Sequence, residues 1–349
     1  MTRAANVLVR PRFYLALTLA TVASVAAAQP PSESSAADQD VPRPDPHAWA
    51  ATSLARMAAA VDDLYYEGTL VYLADNRLET LHIVHSVAGG QAEERLVSLS
   101  GPVRAVTRHQ DEVTCVLSGD HPISVKRKPA IPDLLRARAI DPAVLAANYT
   151  LYPLGETRVA GRDTDVVGVI PRDDYRYGYR FYLDRQTGLP LKSDLMGTSG
   201  EPIEQIMFAA VQVDTARAKS AVRPDSGDAL AAAPDGNPEP LATGSGAGGA
   251  SPWRFEALPP GFAVRMHDSW PEGTEGKAEH FLVTDHLASV SVFVEGAGQG
   301  ALTGATRIGA VHAAGGQVGG HQVTVVGQVP AETVAAVLAG LRHEGGEQR

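Results

Sequence analysis

Histidine offers the widest choice of chemistry in this sequence, because it can ligate a metal ion or move a proton near neutral pH. The 349-residue chain has 11 histidines. His82 and His85 lie close in sequence, but on a β-strand a spacing of three residues sends two side chains to opposite faces. His280 and His286 flank different ends of another predicted strand, and the sequence has no HExxH motif and no Cys/His cluster. We therefore expect no metal site and no metal cofactor.

Nucleophilic catalysis has no clear signature either. Cys115 is the only cysteine and lies in an apolar segment, where a free cysteine most often packs as a small hydrophobe. The sequence has no G-x-S-x-G motif, and the glycine-rich run 296–300 opens no helix and lacks the lysine of a phosphate-binding loop. Scattered Ser, His and Asp residues could still converge without a sequence signature. We expect a protein that is not an enzyme and that carries no cofactor.

Aromatic residues are the more distinctive feature, and they concentrate in DDYRYGYRFYLDRQTGLPLKSDL, residues 173–195. If residues 175–184 form a strand, alternation places four aromatic side chains on one face, which we call the aromatic stripe: Tyr175, Tyr177, Tyr179 and Phe181. Arg176, Arg180 and Tyr182 then face the other way. Residues 184–188 are predicted to form a hairpin turn.

Of three interpretations of the aromatic stripe, the residue pattern argues against one and leaves two open. A nucleic-acid platform needs aromatic rings and arginines on the same face, and here they separate, so we expect no nucleic-acid partner. The aromatic stripe can be packed core beneath covering helices. Alternatively, it can line an apolar ligand cavity together with Leu70 and Tyr72 from the first predicted strand.

The N-terminus predicts the compartment in which these residues act. Arg3, Arg10 and Arg12 precede an apolar run that ends in small alanines, a pattern typical of a cleaved signal peptide over residues 1–28. The apolar run is about 16 residues, shorter than the roughly 20 that span a bilayer. We expect a soluble, exported protein.

Charge narrows the range of partners further. Loss of the three arginines takes the formal net charge from −10 to −13, which argues against nonspecific binding to nucleic acid. One basic triplet, Lys126, Arg127 and Lys128, is a candidate site for an anionic headgroup. Three exposed charges in a loop are, however, more often simply solvated.

Composition predicts two domains. Residues 29–46 and 215–252 are poor in large apolar side chains and cannot bury enough surface to form a core, so we predict a flexible arm and a flexible linker there. Domains are expected at 47–214 and 253–345. The linker composition also favours relative motion of the domains.

Both domains are predicted to be antiparallel sheets, which gives an α+β protein. In the first, Asp45 caps a helix that starts at Pro46, nine strand segments follow, and Asp141 and Pro142 begin a short helix within 131–149. The expected result is a curled sheet with helices on its concave face. In the second, five strands lead to a final helix behind Pro330. Successive strands without helices between them argue against a βαβ nucleotide fold.

Several segments, in this order, resemble the RseB/MucB family of periplasmic negative regulators of an extracytoplasmic sigma factor. They are the runs at 65–117 and 172–195, WRFEALPPGF at 253–262, TRIGAV at 306–311 and VTVVGQVPAETVAAVLAGL at 323–341. The resemblance implies a half-open antiparallel β-barrel covered by helices, similar to lipoprotein carriers, followed by a small sheet-and-helix domain.

The resemblance also implies a function. A family member binds the periplasmic part of a transmembrane anti-sigma factor, protects it from proteolysis, and releases it on sensing lipopolysaccharide or lipoprotein acyl chains. Trp253 and Phe262, in the segment that opens the second domain, become candidate partner contacts. A periplasmic lipid or lipoprotein carrier is the alternative, and the sequence leaves homo-oligomerisation open.

Overall fold

The structure is a computed structural model that describes residues 45–88, 91–100, 104–109, 112–117, 123–125, 141–215, 251–272, 276–296 and 302–344. The predicted signal peptide, the basic triplet Lys126–Lys128, and most of the predicted arm and linker lie outside these ranges. Among the described residues, no helix is both long enough and apolar enough to cross a membrane.

The first half of the chain builds one large antiparallel sheet. Its strands are β1 (Tyr65–Ala74), β2 (Arg77–Ala88), β3 (Gln91–Ser98), β4 (Arg104–His109), β5 (Glu112–Leu117), β6 (Ile123–Val125), β7 (Tyr149–Val159), β8 (Arg162–Pro171), β9 (Gly178–Asp184), β10 (Pro190–Met196) and β11 (Pro202–Asp214). They pair in the order β6-β5-β4-β3-β2-β1-β11-β10-β9-β8-β7. Because β6 and β7 stay unpaired with each other, the sheet is open, as the predicted fold class requires.

Helix α1 (Pro46–Asp63) packs on this sheet. Asp45 accepts the backbone N–H of His47 at 3.0 Å and Pro46 occupies the first turn, which confirms the predicted start. Leu54 and Met57 are fully buried and share one core with strand residues. A second, short helix α2 (Pro142–Leu145) is capped by Asp141, also as predicted.

The edge strand β7 was not predicted. Its sequence YTLYPLGETRV does not alternate cleanly, because Pro153 and Gly155 flank an irregularity in the pairing with β8, and Gly155 has a φ of 104°. The Nδ1 atom of His47 lies 2.7 Å from the carbonyl oxygen of Leu151, so the start of α1 covers part of this edge.

The second half forms a smaller antiparallel sheet with strands β13 (Ala263–Glu272), β14 (Gly276–Thr284), β15 (Ser289–Glu295), β16 (Gly304–Ile308), β17 (Val311–Val318) and β18 (His321–Gly327). Their order is β13-β14-β15-β18-β17-β16. Helix α3 (Ala331–Gly340) buries Val334 and Val337 against it, as predicted. A two-stranded ribbon pairs β12 (Trp253–Phe255) with β19 (Leu341–His343).

One strand prediction in this half was wrong. Residues 306–313 were expected to form a single strand, but a turn at Gly309, with a φ of 61°, folds them into the β16–β17 hairpin. The described sheet therefore has six strands and not five. Alternation alone could not reveal the turn, because glycine fits both an extended strand and a left-handed turn.

Candidate functional site at the junction of the two sheets

The second half of the aromatic stripe lies in the core of the large sheet. Tyr179 and Phe181 project from β9, and their rings stack with centroids 5.4 Å apart and planes 2° from parallel. Phe181 is 1% exposed and Tyr179 is 8% exposed. Both belong to the same apolar cluster as Leu70 and the buried face of α1. In this conformation these side chains form packed core.

Tyr72 lies at the margin of that core and is only partly buried. Burial, together with the charge of Glu204 and its hydrogen bond with the tyrosine, raises the pKa of Tyr72 above its ordinary value. The phenol therefore stays protonated at physiological pH. Among four of the six predicted cavity residues, Leu70, Tyr72, Tyr179 and Phe181, Tyr72 is the most exposed.

The first half of the aromatic stripe is not in a strand, and the predicted strand 175–184 was wrong at its start. β9 begins at Gly178, and residues 173–177 form a loop that we call the junction loop. Asp173 creates it, because its Oδ1 atom accepts the backbone N–H of Tyr175 at 3.0 Å and the Nε–H of Arg176 at 2.9 Å. These bonds hold the backbone in a turn.

Alternation predicted Arg176 on the strand face opposite the aromatic stripe, but Arg176 lies in the junction loop and is completely buried. Its guanidinium forms ion pairs with Asp173 in its own loop and with Asp285 in the loop between β14 and β15. It also donates to the carbonyl oxygen of Pro260. The guanidinium carbon lies 5.5 Å from the ring centroid of Tyr149. On the small-sheet side, the corresponding distance to Phe262 is 5.0 Å.

Asp285 organises the small-sheet side of this contact. It is fully buried. Its Oδ2 atom accepts the Tyr149 hydroxyl at 2.9 Å in addition to the arginine. Its Oδ1 atom accepts the backbone N–H groups of Leu287 at 2.9 Å and Ala288 at 2.6 Å. One carboxylate thus joins a tyrosine and an arginine of the large sheet to a turn of the small sheet.

The electrostatics fix the protonation states of Arg176 and Tyr149. Burial alone would lower the pKa of Arg176, but its hydrogen bond with Asp173 and the charge of Asp285 outweigh burial and hold the pKa above its ordinary value. Burial and the neighbouring Asp285 raise the pKa of Tyr149. Arg176 therefore stays charged and Tyr149 stays a hydrogen-bond donor throughout the physiological range.

The two tyrosines of the junction loop, Tyr175 and Tyr177, also reach the small sheet. The Tyr175 carbonyl oxygen accepts the hydroxyl of Thr333 at 2.6 Å, and its ring packs against the second core. The hydroxyl of Tyr177 lies 3.3 Å from Nδ1 of His312 in β17. Burial raises the pKa of Tyr177 to about 12. The aromatic stripe is therefore divided between two cores.

Apolar contacts extend the junction. Leu287 and Ala310 come from the small-sheet half of the sequence, but they belong to the buried cluster of the large sheet. The backbone of Gly261 packs so closely on Asn148 that a Cβ atom there would lie 2.2 Å from Nδ2. The sequence favoured relative motion of the halves, whereas the described residues form an extensive mutual contact.

The predicted partner contacts lie within this architecture. Trp253 and Phe262 are 7% and 6% exposed and belong to the core of the small sheet. Phe262 also supports the guanidinium of Arg176. As partner contacts the two residues stay predictions. The basic triplet Lys126, Arg127 and Lys128 lies outside the described residues.

This arrangement is a buried cluster of ion pairs and hydrogen bonds that joins the two sheets. Within the described ranges, no three His, Cys, Asp or Glu side chains are grouped as metal ligands. Asp173 was not among the predicted site residues. The sequence did contain one signal, because Arg176 lies within an aromatic run that directly follows two aspartates. The partner of Arg176, Asp285, is however 109 residues away in sequence.

Two family models match the chain. The MucB/RseB N-terminal domain model covers residues 49–226, and the MucB/RseB C-terminal domain model covers residues 248–342. Together they include both sheets and the junction between them. No segment of the large or small sheet described above falls outside these two matches.

Individual relatives agree with the family models. The chain is 34% identical over 304 residues to the sigma factor AlgU regulatory protein MucB of Pseudomonas aeruginosa, covering 85% of this chain and 92% of the relative. It is 27% identical over 292 residues to the sigma-E factor regulatory protein RseB of Salmonella typhimurium, covering 83% and 89%.

A solved structure is also similar. The MucB chain in the MucA/MucB complex of Pseudomonas aeruginosa matches with a TM-score of 0.64 and 31% identity. The match covers 84% of this chain and 99% of that chain.

Proposed function

This chain belongs to the MucB/RseB family, and on that premise we propose that it is a negative regulator of an envelope-stress sigma factor. We propose that it binds the periplasmic part of a membrane-spanning anti-sigma factor and protects that part from proteolysis. The observation that carries the proposal is the match along both sheets to MucB, which has been crystallised with MucA(peri). In that comparison the alignment covers 84% of this chain.

A binding experiment tests this proposal. Mature protein comprising residues 29–349 is titrated with the purified periplasmic segment of the anti-sigma factor from the same cell. We expect saturable binding, and slower cleavage of the segment by an envelope protease when the protein is present. A segment of the same length with scrambled sequence is the control. Absence of binding to the native segment would contradict the proposal.

The proposed location is the periplasm. It is supported by the N-terminal pattern of arginines, apolar run and small residues, and by the compartment in which a MucA(peri)-like partner would be met. Fractionation of cells that express the full chain, with N-terminal sequencing of the mature form, tests both the compartment and cleavage after residue 28. We propose no catalytic role.

The proposed signal is an acyl chain, from lipopolysaccharide or a lipoprotein, bound beside the aromatic stripe. The apolar character of Leu70, Tyr179 and Phe181 supports this, and the partial exposure of Tyr72 suggests an entry. Because these residues now contact one another, a ligand must separate packed side chains beneath α1. The basic triplet Lys126–Lys128 is the proposed headgroup site.

Paired substitutions test this ligand site. Phe181→Asp places a charge in the core, so we expect it to unfold the large sheet. Tyr179→Leu stays apolar, and we expect it to keep the fold and to alter lipopolysaccharide binding by several-fold. Circular dichroism checks folding, and a fluorescent-lipid displacement assay checks binding. Unchanged lipid affinity in a folded Tyr179→Leu variant would place the ligand elsewhere. Recovery of stoichiometric lipoprotein cargo, with no anti-sigma factor, would instead indicate a carrier.

A further inference from the structure

The junction loop lies between two regions to which the proposed function gives different tasks. Tyr179 and Phe181, in the proposed acyl-chain site, follow Arg176 by three and five residues. Arg176 itself is held by Asp285 of the small sheet. Only Tyr177 separates Arg176 from Gly178, the first residue of β9. A movement of the start of β9 is therefore expected to shift Arg176 and its contact with the small sheet.

The backbone around Gly178 is too closely packed to move independently of its neighbours. At Gly178, the first residue of β9, a Cβ atom would lie 3.0 Å from Pro171 and 3.1 Å from the carbonyl oxygen of Val169. The backbone is thus closely packed where the loop becomes strand. On its other side, the loop is fixed by the Asp173 hydrogen bonds and by the bond from Thr333 to the Tyr175 carbonyl.

Because Arg176 and Asp285 are both charged and buried, the energy of their contact depends strongly on the distance between them. The guanidinium is completely buried, and its neutralising carboxylates come from both sides of the junction, Asp173 from the large sheet and Asp285 from the small sheet. Withdrawal of the loop would leave Asp285 with only its tyrosine and backbone donors. A buried charge that has lost its partner is strongly unfavourable unless water reaches it. The contact therefore favours two states, closed and open, over intermediate positions.

We propose that Arg176 is a latch that couples acyl-chain occupancy of the large sheet to release of the anti-sigma segment. An acyl chain that separates Tyr179 and Phe181 from α1 shifts the start of β9 and withdraws Arg176 from Asp285. The small sheet is then no longer held in the arrangement that binds the partner. This inference rests on the proposed function, and it requires the ligand and the partner to favour different states of the latch.

Substitutions that weaken the latch while keeping the fold test the coupling. Asp285→Asn keeps the oxygen that accepts Leu287 and Ala288 but presents an amide to Arg176 and Tyr149. The affinity for the anti-sigma segment is measured with and without lipopolysaccharide, and with and without a diacylated lipopeptide that shares only the acyl chains. We expect at least about tenfold weakening by ligand in the wild type, and less than about threefold in Asp285→Asn.

Two further variants serve as matched tests. Tyr149→Phe removes a single hydrogen bond to Asp285 and is expected to reduce the coupling partially. Arg162→Met removes a bidentate pair with Asp184 that lies entirely within the large sheet, so the coupling should stay at the wild-type value. Equal loss of coupling in Arg162→Met and Asp285→Asn would show general destabilisation and overturn the proposal.

A disulfide across the junction gives the converse test. Cγ of Asn148 lies 2.5 Å from an ideal Cβ of Gly261, so two cysteine β-carbons there would stand within about 4 Å, as a disulfide requires. With Cys115→Ala as background, the oxidised Asn148→Cys, Gly261→Cys variant should still bind the segment but should no longer respond to lipopolysaccharide. Reduction should restore the response. A full response in the oxidised form would exclude opening of the junction.

The same cysteine pair separates failure of the latch from failure of the proposed function. The rate of disulfide formation is measured in the absence of the anti-sigma segment. If the latch is correct, lipopolysaccharide slows this rate by several-fold, even if the segment proves not to bind. If the segment binds and the rate is unaffected by either acylated ligand, the proposed function stands and the latch does not.

Discussion

At the scale of single residues, Asp285 joins side chains of the large sheet to a turn of the small sheet. It accepts four hydrogen bonds, two from large-sheet side chains and two from its own turn. Removal of one partner of a buried ion pair typically costs about 3–5 kcal/mol because the other charge stays buried. A hydrogen bond to a charged group, such as the one from Tyr149 to Asp285, contributes about 1.5–3 kcal/mol.

We therefore predict that Asp285→Asn lowers the free energy of unfolding more than Tyr149→Phe does. Asp285→Asn should lower it by about 3 kcal/mol, at the low end of the range, because Asp173 still neutralises Arg176. Tyr149→Phe should lower it by less, about 1.5 kcal/mol, at the low end for a hydrogen bond to a charged group, because Asp285 keeps its other donors. Urea unfolding followed by circular dichroism measures both. Equal effects of the two substitutions would show that the ion pair with Arg176 adds nothing to the hydrogen bond from Tyr149.

Gly261 gives a second prediction at this scale. Its φ of 77° and its contact with Asn148 both disfavour a side chain. Gly261→Ala should destabilise the protein by more than the 1–2 kcal/mol of left-handed backbone strain alone. Asn148→Ala should restore the part that is due to the clash, which a double-mutant cycle measures. No restoration would mean that backbone strain explains the whole effect.

At the scale of elements, the β9–β10 hairpin has its own electrostatic support. Asp184 accepts two bonds from Arg162, at 3.0 and 2.8 Å, and two from Thr187. Burial alone would raise the pKa of Asp184, but the bonds from Arg162 and Thr187 outweigh it and hold the pKa below its ordinary value. The carboxylate is therefore bound more strongly in the folded hairpin than in the unfolded chain.

This pKa shift predicts a pH dependence with a definite sign. Because the folded pKa is depressed, the contribution of the pair is fully present above about pH 4 and is lost as the pH falls through the folded value. The stability difference between wild type and Arg162→Met should shrink as the pH falls below about 4. Arg158→Met, which removes an exposed pair with Asp163, should have little effect at any pH. A difference that grows in acid would contradict this.

Elements with local causes were the ones predicted best from the sequence. The Asp45 cap, the Asp141–Pro142 start of α2 and the hairpin turn at 184–188 depend on neighbours a few residues away. Arg176 was misplaced because alternation assumes that a strand continues, and the residues that fix its position, Asp285 and Pro260, are distant in sequence. The family resemblance supplied the function, which no local pattern could.

At the scale of the whole molecule, the two sheets share their cores. Leu287 and Ala310 complete the large sheet's apolar cluster, and Tyr175 packs on the small sheet's cluster. Neither half can unfold without exposing apolar surface of the other. We therefore predict a single cooperative thermal transition for the wild type. In Asp285→Asn the transition should broaden or divide into two, which calorimetry would detect. Two separate transitions in the wild type would contradict the coupling of the halves.

The shared cores have a consequence for how the chain is connected. If side chains, and not the covalent link, hold the halves together, the peptide bonds between residues 215 and 251 are dispensable for assembly. Two polypeptides, one ending near residue 230 and one beginning near residue 248, should then associate when they are exported together, as complementing fragments. The small fragment would carry Asp285 to Arg176 by diffusion, and one protein would be reconstituted from two genes.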